Sequence, residues 1–157
     1  MAIRPRPARY LLPTLTMLTL LSALPGSGAA EDNQDSWLAY RANASRTAYQ
    51  SVSLDDNLAA AWTYQSTHAP RPAWPRSERM PFDRAQHTVV SNGKVFFGSS
   101  VDGRVMALDL QSGEIAWTVL TDGPIRFAPA IWKDRLLVAS DDGFLYALAI
   151  ADGRQLW

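Results

Sequence analysis

Residues 102–117 and 142–157 carry one pattern twice, forty positions apart, and nothing else in the 157-residue chain limits its fold so tightly. Asp102-Gly103, Ala107-Leu108, Gly113 and Trp117 recur without a gap as Asp142-Gly143, Ala147-Leu148, Gly153 and Trp157. A period of about 40 residues marks a unit too small to bury its own two faces, which must therefore stack on copies of itself. Carried back at the same offset, 88–117 over 128–157, the alignment adds Ser100 over Ser140. The shared positions are turn formers and packing residues. Coincidental turns in an ordinary sheet would not select that set.

Within each copy, short β-branched, aromatic and aliphatic runs alternate with turn dipeptides, which predicts antiparallel strands. The first copy gives Thr88–Val90, Val95–Phe97, Val105–Leu108 and Ile115–Trp117. The second gives Ala130–Trp132, Leu136–Val138, Leu145–Leu148 and Gln155–Trp157. Asn92-Gly93 between the first two strands is a type I′ hairpin signal, because both central positions of that turn need positive φ. Four-stranded antiparallel units stacked around an axis are the blades of a β-propeller, so the expected class is all-β, with two blades at 87–118 and 127–157. The small Ala107 and Ala147 leave room on the third strand for a neighbouring ring. Trp117 and Trp157 each offer a flat face to bury against the next blade, and Gly113 and Gly153 serve the turn between.

The residues before the repeat divide in two. Arg4, Arg6 and Arg9 precede a largely apolar run, Leu11–Leu24, and Pro25-Gly-Ser-Gly-Ala-Ala30 supplies small residues for a signal peptidase. That is the layout of a secretory signal peptide over residues 1–30, cleaved after Ala30 or, nearly as well, after Ala29. Its 14 apolar-run residues fall short of the roughly 20 that span a membrane. Cleavage removes three arginines and no acid, leaving 12 Lys+Arg against 15 Asp+Glu. So mild a balance gives no electrostatic reason to expect nucleic acid or an anionic membrane as partner. The chain has no cysteine, which excludes disulfide staples, thiol chemistry and a lipid-bearing N-terminal cysteine within it. Residues 31–86 form a lead-in. Trp37, Tyr40 and Arg41 give it an anchoring look, Leu58–Tyr64 reads as one orphan strand, and a long Pro/Arg-rich connection runs from Gln65 to Gln86.

Ala107-x-Asp109-x-x-x-Gly113-x-x-x-Trp117 resembles the tryptophan-docking motif of pyrroloquinoline quinone (PQQ)-like propeller repeats. The second copy is similar, with Ala149 where the motif's Asp would sit. The resemblance covers about 70 of the 157 residues and reaches back to Trp62, which looks like the tryptophan of an earlier or ring-closing blade. It implies two functional groups. Quinoprotein dehydrogenases hold PQQ and calcium over the central channel and oxidise alcohols or sugars. BamB-like members of outer-membrane assembly keep the repeat without the cofactor and act as scaffolds. The vicinal cysteine pair common in the first group is absent here, as is the lipid-bearing cysteine usual in the second. A closed ring needs at least about four blades, and the resemblance implies about seven or eight. The expectation is therefore an N-terminal fragment whose partners include the remaining blades of the same propeller.

Arg79, Asp83, Arg84 and His87 fall in the long connection before the first blade, and Arg126 in the matching connection before the second. Connections from a fourth strand to the next first strand lie on the face where propellers bind ligands. These five residues are the candidate binding set for a protein or small-molecule ligand, as Arg clamps on anions or peptides and as a titratable imidazole. The alternative role for them is pinning loops by ion pairs, which needs no ligand. No catalytic or metal-ligating constellation is visible, and no cofactor is evident. The expected function is an exported, periplasmic or secreted binding scaffold. The alternative is a PQQ/calcium dehydrogenase whose cofactor residues lie mostly in other blades.

Overall fold

A computed structural model of the protein describes residues 36–71 and 87–157. The expected signal peptide and the candidate residues Arg79, Asp83 and Arg84 lie outside those described. The described residues contain seven antiparallel strands and no helix. β1 (Val89–Ser91), β2 (Lys94–Gly98), β3 (Arg104–Asp109) and β4 (Ile115–Leu120) form a four-stranded sheet in sequence order. β5 (Ala130–Trp132), β6 (Arg135–Ala139) and β7 (Leu145–Ala149) form a three-stranded one. These are two blades of a β-propeller. The β1–β2 turn has Asn92 and Gly93 at φ 50° and 68°, the two positive values that its hairpin geometry requires.

Alternation along the strands sorts side chains onto two faces. Val89, Phe96, Val105, Ala107 and Trp117 leave the first sheet on one side and meet Ile131, Leu136, Val138 and Leu148 of the second, forming the main core. On the other side of the first sheet, Phe97, Met106 and Leu108 are covered by Trp62 and Tyr64. A blade buried on both faces needs apolar residues on both, and β2 and β3 have them at nearly every position.

The two blades are not related by one offset. β1 and β2 map onto β5 and β6 at 41 residues, whereas the residues from β3 onward map at 40. The turn between the second and third strands of a blade, its B–C turn, is one residue shorter in the second blade. The serine that opens it there matches Ser99 rather than Ser100. Ser99 N–H donates to Arg104 O at 2.8 Å, as Ser140 N–H does to Phe144 O at 3.0 Å. The reason is the pleat. At 41, Val95 and Phe97 become Leu136 and Val138, and each blade turns the same face to its predecessor; at 40 every side chain would change sides.

Two expected strands differ. Gln155–Trp157 forms a bridge to Leu148 and hydrogen bonds along β7, with Leu156 N–H to Ala147 O at 2.7 Å, rather than a full strand. Leu58–Tyr64 has no sheet partner among the described residues. Its β-propensity reports side chains suited to a half-buried surface, and Trp62 and Tyr64 meet that requirement by packing, without pairing. The lead-in does pair elsewhere. Trp37 exchanges two 2.8 Å backbone hydrogen bonds with Val90 on the free edge of β1, and Ile131 of β5 donates to Leu38 O at 2.7 Å. One short segment thus covers the first strand of one blade and ties it to the first strand of the next.

Candidate functional site

The repeated residues make a docking joint, built twice. The Trp62 indole N–H donates to Leu110 O at 2.9 Å, and the Trp117 indole N–H donates to Ile150 O at 3.2 Å; the two acceptors are equivalent in the two blades. Each ring lies over the glycine of the blade it docks on. A Cβ on Gly113 would stand 2.6 Å from the Trp62 ring, and one on Gly153 would stand 2.7 Å from the Trp117 ring. Both glycines also have positive φ, 73° and 76°. Ala107 and Ala147 are fully buried. Trp157 is 55% exposed and has no such seat among the described residues.

The turn under each joint is capped by a carboxylate. Asp109 accepts from the N–H of Gln111 and Ser112 and from the Ser112 hydroxyl, at 2.8–3.1 Å. The backbone and hydroxyl donors of Ser112, then Gln111 and the charge of Lys94, hold its carboxyl below the ordinary 3.8. The second blade has Ala149 at that position, and Asp152 accepts from Arg154 N–H instead, at 3.0 Å.

At the opposite end of the strands the connections are woven together. Thr121 N–H donates to Gly103 O, Ile125 N–H to Ser99 O and Asp141 N–H to Pro124 O, each at 2.8–2.9 Å. The connection from β4 to β5 is thereby fastened to the B–C turns of both blades. Arg126 is the clasp. Its side chain is only 15% exposed and forms an ion pair with Asp141, while Nη1 donates to Arg71 O at 2.9 Å. Arg71 N–H in turn donates to the Ser100 hydroxyl at 3.0 Å. Arg126 therefore grips the root of the long connection that contains Arg79, Asp83 and Arg84. His87, where that connection re-enters the described fold, stands edge-on to Tyr40 of the lead-in, with centroids 5.3 Å apart. His87 and Arg126 are held by different partners.

Sequence reasoning did not anticipate Asp141, Ser100 or the Arg71 carbonyl. The Asp141-Asp142 doublet in the shortened turn was the available signal. Asp142 accepts from Tyr146 OH at 2.8 Å and from Phe144 N–H at 2.9 Å. Desolvation, the largest influence on Asp142, pushes its carboxyl up, but the hydrogen bonds from Phe144, Tyr146 and Ser140 outweigh it and leave the group below 3.8. The same bond to Asp142, then desolvation, raises the Tyr146 hydroxyl above its usual 10.0. No group of three or more His, Cys, Asp or Glu among the described residues could hold a metal ion.

Repeating blades locked by tryptophan over glycine define a β-propeller of PQQ-like repeats. Residues 52–157 match the family model described as outer membrane protein assembly factor BamB, and the chain belongs to that PQQ_2 family. Among solved structures, quinohemoprotein alcohol dehydrogenase from Comamonas testosteroni is similar over 78% of this chain and 19% of its own, with a TM-score of 0.61 and 23% identity. BamB from Moraxella catarrhalis is similar over 41% of this chain and 19% of its own, with a TM-score of 0.39 and 25% identity. The β-alanine-activating enzyme of Drosophila melanogaster is 35% identical over 65 residues, 40% of this chain and 6% of that protein. The chain thus spans less than a fifth of each of these proteins. No helix among the described residues is long and apolar enough to cross a membrane.

Proposed function

We propose that this protein is an exported binding scaffold, working in the periplasm or outside the cell, that engages a protein or small ligand on the loop face built around Arg126. The observation that carries this reading is the clasp. Arg126 holds the root of the 72–86 connection against both B–C turns, so the segment with Arg79, Asp83 and Arg84 starts from a fixed point on one face. Binding residues placed on loops over a rigid scaffold are a general arrangement. The family description, with its reference to outer-membrane assembly, supports an exported location and a protein partner. The basic, apolar and small-residue segments of residues 1–30 support cleavage after Ala30.

Two measurements test the reading. N-terminal sequencing of the protein secreted by its host is expected to begin at Glu31, or at Ala30 for the neighbouring cut. A photo-crosslinker at position 83 of the full-length protein is expected to give a discrete adduct that disappears with Arg126→Ala. No adduct, or an adduct indifferent to Arg126, overturns the proposal. Alcohol- or aldose-dependent dye reduction after addition of PQQ and calcium would replace it with the dehydrogenase alternative.

A further inference from the structure

The lead-in contains a cleft that the loop-face reading does not use. It measures about 320 Å³, floored by Leu38 and Ala42 and walled by Thr47, Tyr49, Gln50 and Ser51. No charged residue and no histidine lines it. A neutral wall of hydroxyl and amide groups can both donate and accept but offers nothing to compensate a ligand's charge. Beside it, the Tyr49 ring is 71% exposed, an apolar face with a polar tip set at the rim.

The backbone that shapes the cleft is unusual. Arg41, Ala42, Arg46 and Ala48 all have positive φ, between 54° and 77°, without a glycine among them. Such conformations cost energy and persist only where surrounding contacts fix them; they gather at ligand clamps. The contacts are present. Gln50 Nε2 donates to Ser36 O at 2.6 Å and closes the loop. Asn43 and Thr47 exchange two hydrogen bonds, and Leu38 N–H donates to Ala42 O at 2.9 Å. The floor is fixed to β1 and β5 through Trp37 and Leu38. The cleft is thus preorganised, neutral, rich in hydrogen-bonding groups and flanked by an open aromatic ring.

We infer that this cleft binds a neutral saccharide unit. A sugar's hydroxyls match donors and acceptors that carry no charge, and one apolar sugar face stacks on Tyr49. The inference stands apart from the loop-face proposal, since no residue is shared between the two sites. Its test is calorimetric titration of the full chain with maltose, cellobiose, lactose and chitobiose, each to about 10 mM, a range that detects Kd values near 1 mM. At least one disaccharide is expected to bind. Tyr49→Ala and Gln50→Ala are each expected to weaken it about tenfold or more, and Tyr49→Phe to keep most of the affinity because the ring remains. Absence of binding by all four sugars overturns the inference. So does binding that survives both alanine substitutions, which would place the sugar elsewhere. Tyr49 is exposed, so the unfolding midpoint of Tyr49→Ala should equal that of the parent and show that lost binding is not lost folding.

Discussion

Gly153 concentrates in one residue what holds the blades together. Its φ of 76° is one that an L side chain adopts with difficulty, and the Trp117 ring stands where a Cβ would go. Gly153→Ala should therefore combine a left-handed backbone cost of roughly 1–2 kcal/mol with an overpacking cost of roughly 1–3 kcal/mol. Gly143 separates the two effects, because its φ is 91° but a Cβ there would meet nothing within 4 Å. Gly143→Ala should lose only the backbone cost, roughly 1–2 kcal/mol. Denaturant unfolding of both variants measures the difference. A second residue-scale prediction concerns Asp109. Its carboxyl is depressed below 3.8 in the folded state, so its contribution is present above that pH and is lost as pH falls through the lower folded value. Asp109→Asn should flatten the acid limb of stability below about pH 3.8, read from unfolding midpoints across the acid range, and leave the neutral region with little pH dependence of its own.

At the scale of elements, the two tryptophan joints should differ in strength. Trp117 is buried between two sheets, whereas Trp62 belongs to a segment with no sheet pairing among the described residues and is only half-buried. Trp117→Ala should cost about 3–5 kcal/mol and Trp62→Ala distinctly less. Equal losses in chemical unfolding would mean that the lead-in is as integral as a strand. The lead-in invites an opposite change. Arg41 sits at φ 61°, and Arg41→Gly should raise stability by up to about 1 kcal/mol while Arg41→Val lowers it, because a β-branched side chain is poorly tolerated there. The repeat made the blades, their turns and the docking tryptophans legible, because glycine, alanine and tryptophan at those positions have few other uses. The change of offset from 41 to 40 was not legible. Ser99-Ser100 lets either serine align with Ser140, and only the pleat decides between them. The clasp was half legible: Arg126 could be singled out, but its partner Asp141 lies in a turn whose contact with the β4–β5 connection is a property of the stacked blades. The strand expected at 58–64 failed because its aromatic residues record burial, and burial here comes without pairing.

For the molecule as a whole, the decisive asymmetry is between the two outward faces of the blade pair. The face of the first blade that points away from the core is covered by Trp62 and Tyr64. The outward face of the second blade is the opposite side of its sheet and carries Leu137, Leu145, Ala147 and Trp157, of which Leu145 and Trp157 are 52% and 55% exposed. Their counterparts in the first blade are Phe96, Val105, Ala107 and Trp117, all in the main core. A surface with the residue pattern of an interior is driven to cover itself. Burying one large apolar side chain is worth about 1.5–3 kcal/mol, so two or three of them from each of two copies can exceed the cost of bringing the molecules together. The polypeptide of residues 31–157 should accordingly self-associate, with dissociation constants on the order of 10–100 µM. Sedimentation velocity should show a coefficient that rises with concentration. Combined Leu145→Glu and Trp157→Glu substitutions should return a monomer at all concentrations, with unfolding close to that of the parent, because neither side chain belongs to the main core. A parent chain that stays monomeric at about 1 mM would show that this face is satisfied within one molecule, and would require a rearrangement of the second blade that brings Trp157 against its own sheet.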